Sequence, residues 1–129
     1  MSASLAVQRL LAAALAGVPG VTGVFDGPPV DAAPPYLVIG GDVMTDWSTK
    51  TETGREHLLR VSVWDAGPGL ARVKPLMAAV EAAVSALSGS SGGQRVVSAR
   101  FVRALVLGEP DGWTQGLMEF RVRSLADEA

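Results

Sequence analysis

The chain has 129 residues and a mass of 13.3 kDa, the size of one domain that can bury a core without disulfides or metals. Charged residues make up 19% of it, below the roughly 25% of an average soluble domain, so we expect a partner to cover part of the surface. The formal charge of -2 argues against binding through DNA phosphates. The absence of cysteine excludes disulfides, thiolate ligands and cysteine nucleophiles.

The first predicted element is a helix. Residues 10–18, LLAAALAGV, form the longest apolar run, well short of the roughly 20 residues that span a bilayer, so we expect no transmembrane helix. With Arg9 before it, the run also resembles a signal peptide. An apolar stripe that starts ahead of the run favours a core-packing amphipathic helix instead. The stripe comprises Val7, Leu10, Leu11, Ala14, Leu15 and Val18.

Three strand-like segments follow. Val24 and Phe25 indicate a short strand inside a turn-rich connector, and YLVIGGDVM, residues 36–44, predicts a strand covered on much of both faces. HLLRVSVW, residues 57–64, alternates between apolar and mixed positions and predicts a half-buried strand. The polar run TDWSTKTETGREH, residues 45–57, then connects the last two strands as a hairpin.

A second helix is predicted from apolar residues spaced alternately three and four positions apart. These are Leu70, Val73, Met77, Val80, Val84 and Leu87. Pro75 is harmless if the helix starts near Arg72 and kinks it if the start is nearer Pro68, and both starts stay open. SGSSGG, residues 88–93, predicts a flexible turn after the helix.

Two more strands complete the chain. Residues 94–108 predict a long strand on which Arg100 and Arg103 point to opposite faces. Residues 114–125 alternate cleanly, with apolar side chains inward and charged ones outward. The inward residues are Met118, Phe120 and Val122, and the outward ones are Glu119, Arg121 and Arg123.

Paired strands separated by single helices predict an α+β fold. We expect a single domain over residues 1–129, with a mainly antiparallel sheet of four to five strands and two helices packed on one face. The predicted core contacts are Leu11, Leu15, Val61, Met77, Val80, Val84 and Phe120.

The sequence offers little for catalysis or cofactor binding. Gly89–Gly93 matches G-x-S-x-G, but a helix precedes the serine and a strand follows it, the reverse of a nucleophile elbow. His57 is the single histidine, and we interpret it as a polar residue at the mouth of a strand. Asp42 and Asp46 lack the spacing of a calcium loop. We therefore expect no enzyme activity, cofactor or metal.

Two tryptophans fall in predicted connections, where such a side chain either folds back onto the domain or anchors a partner. These are Trp47 and Trp113, and Trp47 is the stronger candidate because charges of both signs flank it. Interfaces are enriched in tryptophan and arginine. This pattern favours a protein-protein contact near residue 47.

Three segments together resemble the tail-completion family of tailed phages and gene transfer agents, in particular the tail terminator. They are PPYLVIGGDVMTDWSTKTETGREHLLRVSVWDAGPG, VKPLMAAVEAAVSAL and RFVRALVLGEPDGWTQGLMEFRVR. The most specific part is central: DWSTKT, followed by G, EH and V-x-VW. The similarity in order and length covers nearly the whole chain.

The resemblance implies a structural virion protein at the neck of the particle, made in the bacterial cytoplasm. It implies a homo-oligomer, a hexameric ring, between the tail tube protein and a head-side stopper or connector protein, with DNA passing through the lumen without specific binding. The polar run at residues 45–57 then forms the end of a hairpin that reaches beyond its own domain to contact neighbouring subunits or ring partners. The contact residues would be Asp46, Trp47, Lys50, Glu52, Arg55 and Glu56.

Other functions stay open from the sequence. A stopper-like connector subunit would share the same composition, and a small hydrolase would need a pocket that joins His57 to a serine or aspartate. A monomeric binding module would cover its apolar surface within its own fold.

Overall fold

The computed structural model describes residues 2–67 and 69–127. In chain order it contains α1 (Ala3–Leu15), β1 (Val24–Phe25), β2 (Tyr36–Ile39), β3 (Val43–Asp46), β4 (Gly54–Ala66), α2 (Lys74–Ser85), β5 (Ser90–Ser91), β6 (Gln94–Gly108) and β7 (Trp113–Ala126). The predicted α+β class is confirmed.

The sheet is larger than predicted. Seven strands join in the order β1-β2-β4-β7-β6-β5, and β3 pairs with β4 beside β2. The pairing of β1 with β2 is parallel, and the other pairings are antiparallel. The expected count of four to five strands is wrong because residues 90–91, within the predicted flexible turn, form β5, and residues 36–44 form two strands instead of one.

Residues 36–44 divide because an extra residue interrupts the pairing with β4. Ile39 pairs with Val61 and Val43 pairs with Leu58, so residues 40–42 lie opposite only Leu59 and Arg60. Such a bulge reverses which side chains face the core. As a result Met44, and not Val43, shares the helix-facing side with Leu37 and Ile39, although all of β3 is exposed.

The first helix forms as the stripe predicts. Ser2 caps it, because its hydroxyl accepts a hydrogen bond of 3.1 Å from the Leu5 amide. Val7, Leu11 and Leu15 are fully buried, and Leu10 packs partly against the same core. The apolar run in residues 10–18 is thus part of a core helix.

The second helix settles the position of Pro75. The helix begins at Lys74, so Pro75 lies in its first turn, where the missing amide hydrogen costs no intrahelical hydrogen bond. Leu70 precedes the helix and is 44% exposed, so the start near Pro68 is wrong for the helix as it forms.

One core lies between the two helices and the facing side of β4 and β7. All seven predicted core residues are buried in it: Leu11, Leu15, Val61, Met77, Val80, Val84 and Phe120. Gly116 lets α2 approach β7 closely, since a Cβ atom there would collide with Met77. Opposite this helix-facing side, the sheet has an outer face that neither helix covers.

Strand β6 contains two irregularities that correct one prediction. Arg100 pairs with Arg121 and Arg103 pairs with Glu119, with a register shift between Phe101 and Arg103. Because directly paired residues share a face, and Glu119 and Arg121 both lie on the outer face of β7, Arg100 and Arg103 lie on the same face. The expectation of opposite faces is wrong because the extra residue, Val102, resets the alternation.

The glycine-rich segment after α2 is a tight hairpin. Ser90 and Ser91 pair with Arg95 and Gln94, and Gly92 and Gly93 make the turn with φ of 54° and 79°. Glycine adopts these positive angles without steric cost. Ser91 therefore belongs to β5 and not to a strand-to-helix elbow.

The core assignment predicts the effect of a buried charge. Val80→Asp should lower the free energy of unfolding by about 4 kcal/mol or more, because it places a carboxylate at a fully buried position. Ala82→Asp, on the exposed side of the same helix, is the matched control. Urea denaturation measures both, and equal midpoints for the two variants would contradict the packing of α2.

Candidate assembly surface

The polar run at residues 45–57 is divided between two strands and the turn that connects them. Thr45 and Asp46 belong to β3 and residues 54–57 belong to β4, so the connection, here called the hairpin tip, is residues 47–53. The Thr49 hydroxyl accepts hydrogen bonds from the amides of Thr51 and Glu52, at 3.3 and 3.0 Å. The tip is therefore a compact turn.

The hairpin tip is held against the ends of β6 and β7. The Arg95 guanidinium donates to the Glu52 carboxylate at 2.9 Å, and the Ala126 amide donates to the Thr53 carbonyl at 2.8 Å. Gly54 is required beside the tip, because a Cβ atom there would collide with the Trp47 carbonyl. These contacts fix the position of the tip relative to the sheet.

The six predicted contact residues fall into small groups. Asp46 and Arg55 form an ion pair of 3.1 Å, and the Ser48 hydroxyl that donates to Asp46 holds the pKa of that carboxyl below its usual value. Glu52 is paired with Arg95. Lys50 is exposed in the turn.

Trp47 and Glu56 meet through one arginine. The Arg123 guanidinium lies over the Trp47 ring, 5.1 Å from its centroid, and donates to Glu56 at 2.9 Å. Trp47 is half-buried by this packing. The structure therefore brings Trp47 and Glu56 together, while Lys50 lies apart from them on the turn.

The outer face of the sheet carries an arginine-glutamate network that extends from this point. Glu56 also contacts Arg121 at 3.5 Å. Further along the face, Glu119 is 5% exposed and lies between Arg103, at 2.7 Å, and Arg60, at 4.0 Å. Alternation places Glu119 on the outer face correctly, but it does not show that two arginines bury it there.

His57 is not at the mouth of a strand, as the sequence suggested, but fully buried on the helix-facing side of β4. Its Nε2 shares a hydrogen bond of 2.8 Å with the Ser124 hydroxyl, and its Nδ1 lies 3.7 Å from Asp42, too far for one. That Nδ1 has no hydrogen-bond partner in the described part of the chain. Burial lowers the pKa of His57, although Asp42 opposes the shift, so the ring is neutral near pH 7.

Trp113 belongs to an aromatic cluster on the outer face. Its ring lies 6.0 Å from Tyr36 and 6.4 Å from Trp64, and Phe25 packs edge-on against Tyr36. Tyr36, Trp64 and Trp113 line a cavity of about 250 Å³, together with Pro28, Pro29, Val38 and Asp111. Of the two tryptophans predicted in connections, Trp113 thus folds back onto its own domain. No sequence pattern indicates this cluster, because its members come from strands far apart in the chain.

Neither a metal-binding cluster nor a membrane-spanning helix occurs among the described residues. Across residues 2–67 and 69–127, no three histidine, aspartate or glutamate side chains gather closely enough to hold a metal ion. None of the helices in these ranges is long and apolar enough to cross a bilayer. What the arrangement does offer is a charged, partly aromatic surface around the hairpin.

Two comparisons with known proteins find similarity to virion components. A model of the family described as "Tail completion protein gp17" matches residues 5–124. A solved chain from the "Virion of native gene transfer agent (GTA) particle" is 32% identical, with a TM-score of 0.75 over 97% of this chain and 96% of that one. A search of curated proteins finds no match.

The buried glutamate predicts a stability effect. Glu119→Gln should lower the free energy of unfolding by about 1–3 kcal/mol, because the amide cannot accept charged hydrogen bonds from Arg103 at the same strength. Glu81→Gln, exposed on α2, should change it little. Urea denaturation of both variants checks this, and a loss no larger for Glu119→Gln than for the control would show that the network stabilises nothing.

The buried histidine predicts a pH dependence. Because the folded protein binds the His57 proton less tightly than the unfolded chain, the contribution to stability is complete above about pH 6.5 and is lost as pH falls below it. The slope from this group is at most about 1.4 kcal/mol per pH unit. His57→Gln should flatten the stability curve between pH 5.5 and 7. A slope unchanged by the substitution would contradict the assignment.

Proposed function

Because this chain belongs to the tail completion protein gp17 family, we propose that it is a tail terminator, a ring-forming subunit that caps the tail tube and joins it to the head. The chain is a structural virion protein of a phage or gene transfer agent. One observation above others supports the proposed role as a tail terminator. The similarity to a virion chain extends over 97% of this chain and 96% of that one.

The proposed partners are further copies of the chain in a hexamer, the tail tube protein on one side and a head-side stopper or connector on the other. DNA passes through the lumen. The formal charge of -2 supports passage without specific binding, and so does the pairing of outer-face arginines with Glu56 and Glu119. Arginines paired in this way are less available to phosphate groups.

The proposed contacts between subunits or partners are Asp46, Trp47, Lys50, Glu52, Arg55 and Glu56. The rigid turn supports this proposal, since a contact surface held in place loses less entropy on binding than a mobile loop. Mixed charge favours one register between identical subunits. Lys50 is the sharpest probe, because it is exposed at the turn while Trp47 and Glu56 also contribute to folded contacts within the chain.

A stopper-like connector subunit is the alternative within the same class. It would join heads to tails without setting tail length. A small hydrolase is disfavoured by the burial of His57, whose ring contacts Ser124 and faces the interior of the domain.

Removal of the gene tests the proposed role. A strain that lacks this protein should produce over-long tails, or tails of scattered length detached from filled heads, because nothing halts growth of the tube. Electron micrographs of purified particles give the tail-length distribution. Detached tails of normal length would favour the connector, and normal tails joined to heads would contradict both roles.

Reversal of one charge tests the hairpin tip. Lys50→Glu should keep the circular dichroism and melting temperature of the wild type, and it should reduce the fraction of heads joined to tails. Arg9→Glu, exposed on α1, is the control and should leave joining unchanged. Joining at the wild-type level by Lys50→Glu would remove the tip from the list of contacts.

A further inference from the structure

Strand β6 leaves a long edge of the sheet open. On one side it pairs with β7 from Gln94 to Gly108, but on the other side β5 reaches only Gln94 and Arg95. The Val96 amide still bonds to the Gly89 carbonyl, and in residues 2–67 and 69–127 no strand pairs with that side further along. The open edge carries exposed apolar residues: Val97, Phe101, Val102 and Leu107. A long apolar edge of this kind is a template for pairing with another strand.

Strand β3 leaves a second edge open, on the other side of the sheet. It pairs with β4 alone among the described strands, and all four of its residues are exposed. Val43 is 57% exposed and Met44 is 44% exposed. In the path β3-β4-β7-β6, both outermost strands thus present unpaired backbone and apolar side chains.

The two edges lie at the same level of the sheet. Thr45 pairs with Glu56, which pairs with Arg123, which pairs with Ser98. Through the same three pairings, Val43 is level with Arg100. A ring moves each subunit around an axis without changing its height, so contacting patches must lie at equal height. With strands along the axis, these edges meet that condition.

Direction and charge also favour contact between the two different edges. Each pairing along the path is antiparallel, so β3 runs antiparallel to β6, and rotation about an axis along the strands keeps that relation between neighbours. At the shared level, exposed Val43 of β3 lies beside Arg100 of β6 on the outer face, and the alkyl part of the arginine can cover the valine. Pairing of β6 with β6 would instead bring the exposed Arg100 and Arg103 of two copies together, and like charges on facing strands are unfavourable.

We propose that the occupant of each edge is a second copy of this chain, with β3 of one subunit paired antiparallel to β6 of the next, so that one sheet continues around the ring. This inference rests on the proposed ring and names the surfaces that close it. The contact is head-to-tail, because each subunit gives one edge and receives the other, which is the arrangement that forms rings.

The absence of cysteine allows a direct test by engineered disulfides. The two pairs are Thr45→Cys with Ser98→Cys, and Val43→Cys with Arg100→Cys, each on the outer face at one level. Facing residues of antiparallel strands lie at Cα distances that a disulfide can bridge. Particles assembled with either double variant and then oxidised should give a ladder of covalent multimers on a non-reducing gel, and reduction should return a single monomer band.

The single variants and a displaced pair are the controls. Each single cysteine should stay monomeric, and so should Val30→Cys with Ser98→Cys, since Val30 lies in a loop and is 94% exposed. A dimer from Ser98→Cys or Arg100→Cys alone would overturn the proposal in favour of β6 pairing with itself. Normal particles from both double variants, without a ladder, would show that other surfaces join the ring.

A second measurement covers variants that fold but do not assemble. Val97→Glu with Val102→Glu places charges on the β6 edge and should lower incorporation into particles at least about tenfold, while Val30→Glu should not. Normal incorporation of the edge variant would overturn the proposal. Tail lengths in the strain without the gene test the terminator role separately, so failure of the edge pairing and failure of that role give different results.

Discussion

The pairing of β4 with β7 is the contact on which the remaining structure depends. It runs without interruption from Gly54 opposite Leu125 to Ala66 opposite Trp113. On its inner side it presents Val61, Met118 and Phe120 to the two helices. On its outer side it aligns glutamates with arginines on neighbouring strands. Both the core and the charged outer face take their register from this one pair of strands.

The parts of the fold that follow a strict period could be predicted from the sequence. The stripe of α1, the alternation of β7 and the seven core residues are confirmed, because each helix or strand has one buried side that must be apolar. The boundaries fail where the period breaks. Two strands replace one at residues 36–44, and Val102 rotates Arg103 onto the face of Arg100, because a single extra residue shifts alternation without any composition signal.

The charged positions were harder to predict because burial of a charge depends on its partners. Glu119 sits at an outward position in the alternation, yet Arg60 and Arg103 exclude solvent from it. For His57, the sequence neighbours are polar and suggest an exposed side chain. Its position in β4 instead directs the ring toward Ser124 and the core. The hairpin residues are neighbours in sequence and so can be predicted to lie together, whereas the contact of Arg123 with Trp47 joins residues 76 positions apart and is visible only in the structure.

The extra residue between β2 and β3 has a consequence for how this family can vary. In β2 the odd-numbered residues face the helices, whereas in β3 the even-numbered residues do. Ile39 and Val43 therefore lie on opposite faces although both positions are odd. Loss of one residue from Gly40–Asp42 would merge the two strands, because two residues would then lie opposite Leu59 and Arg60. Val43 would still pair with Leu58 and Met44 with His57, so the faces of β3 would stay as they are. Chains of this family can therefore differ by one residue at this place without moving any side chain of β3 to the other face.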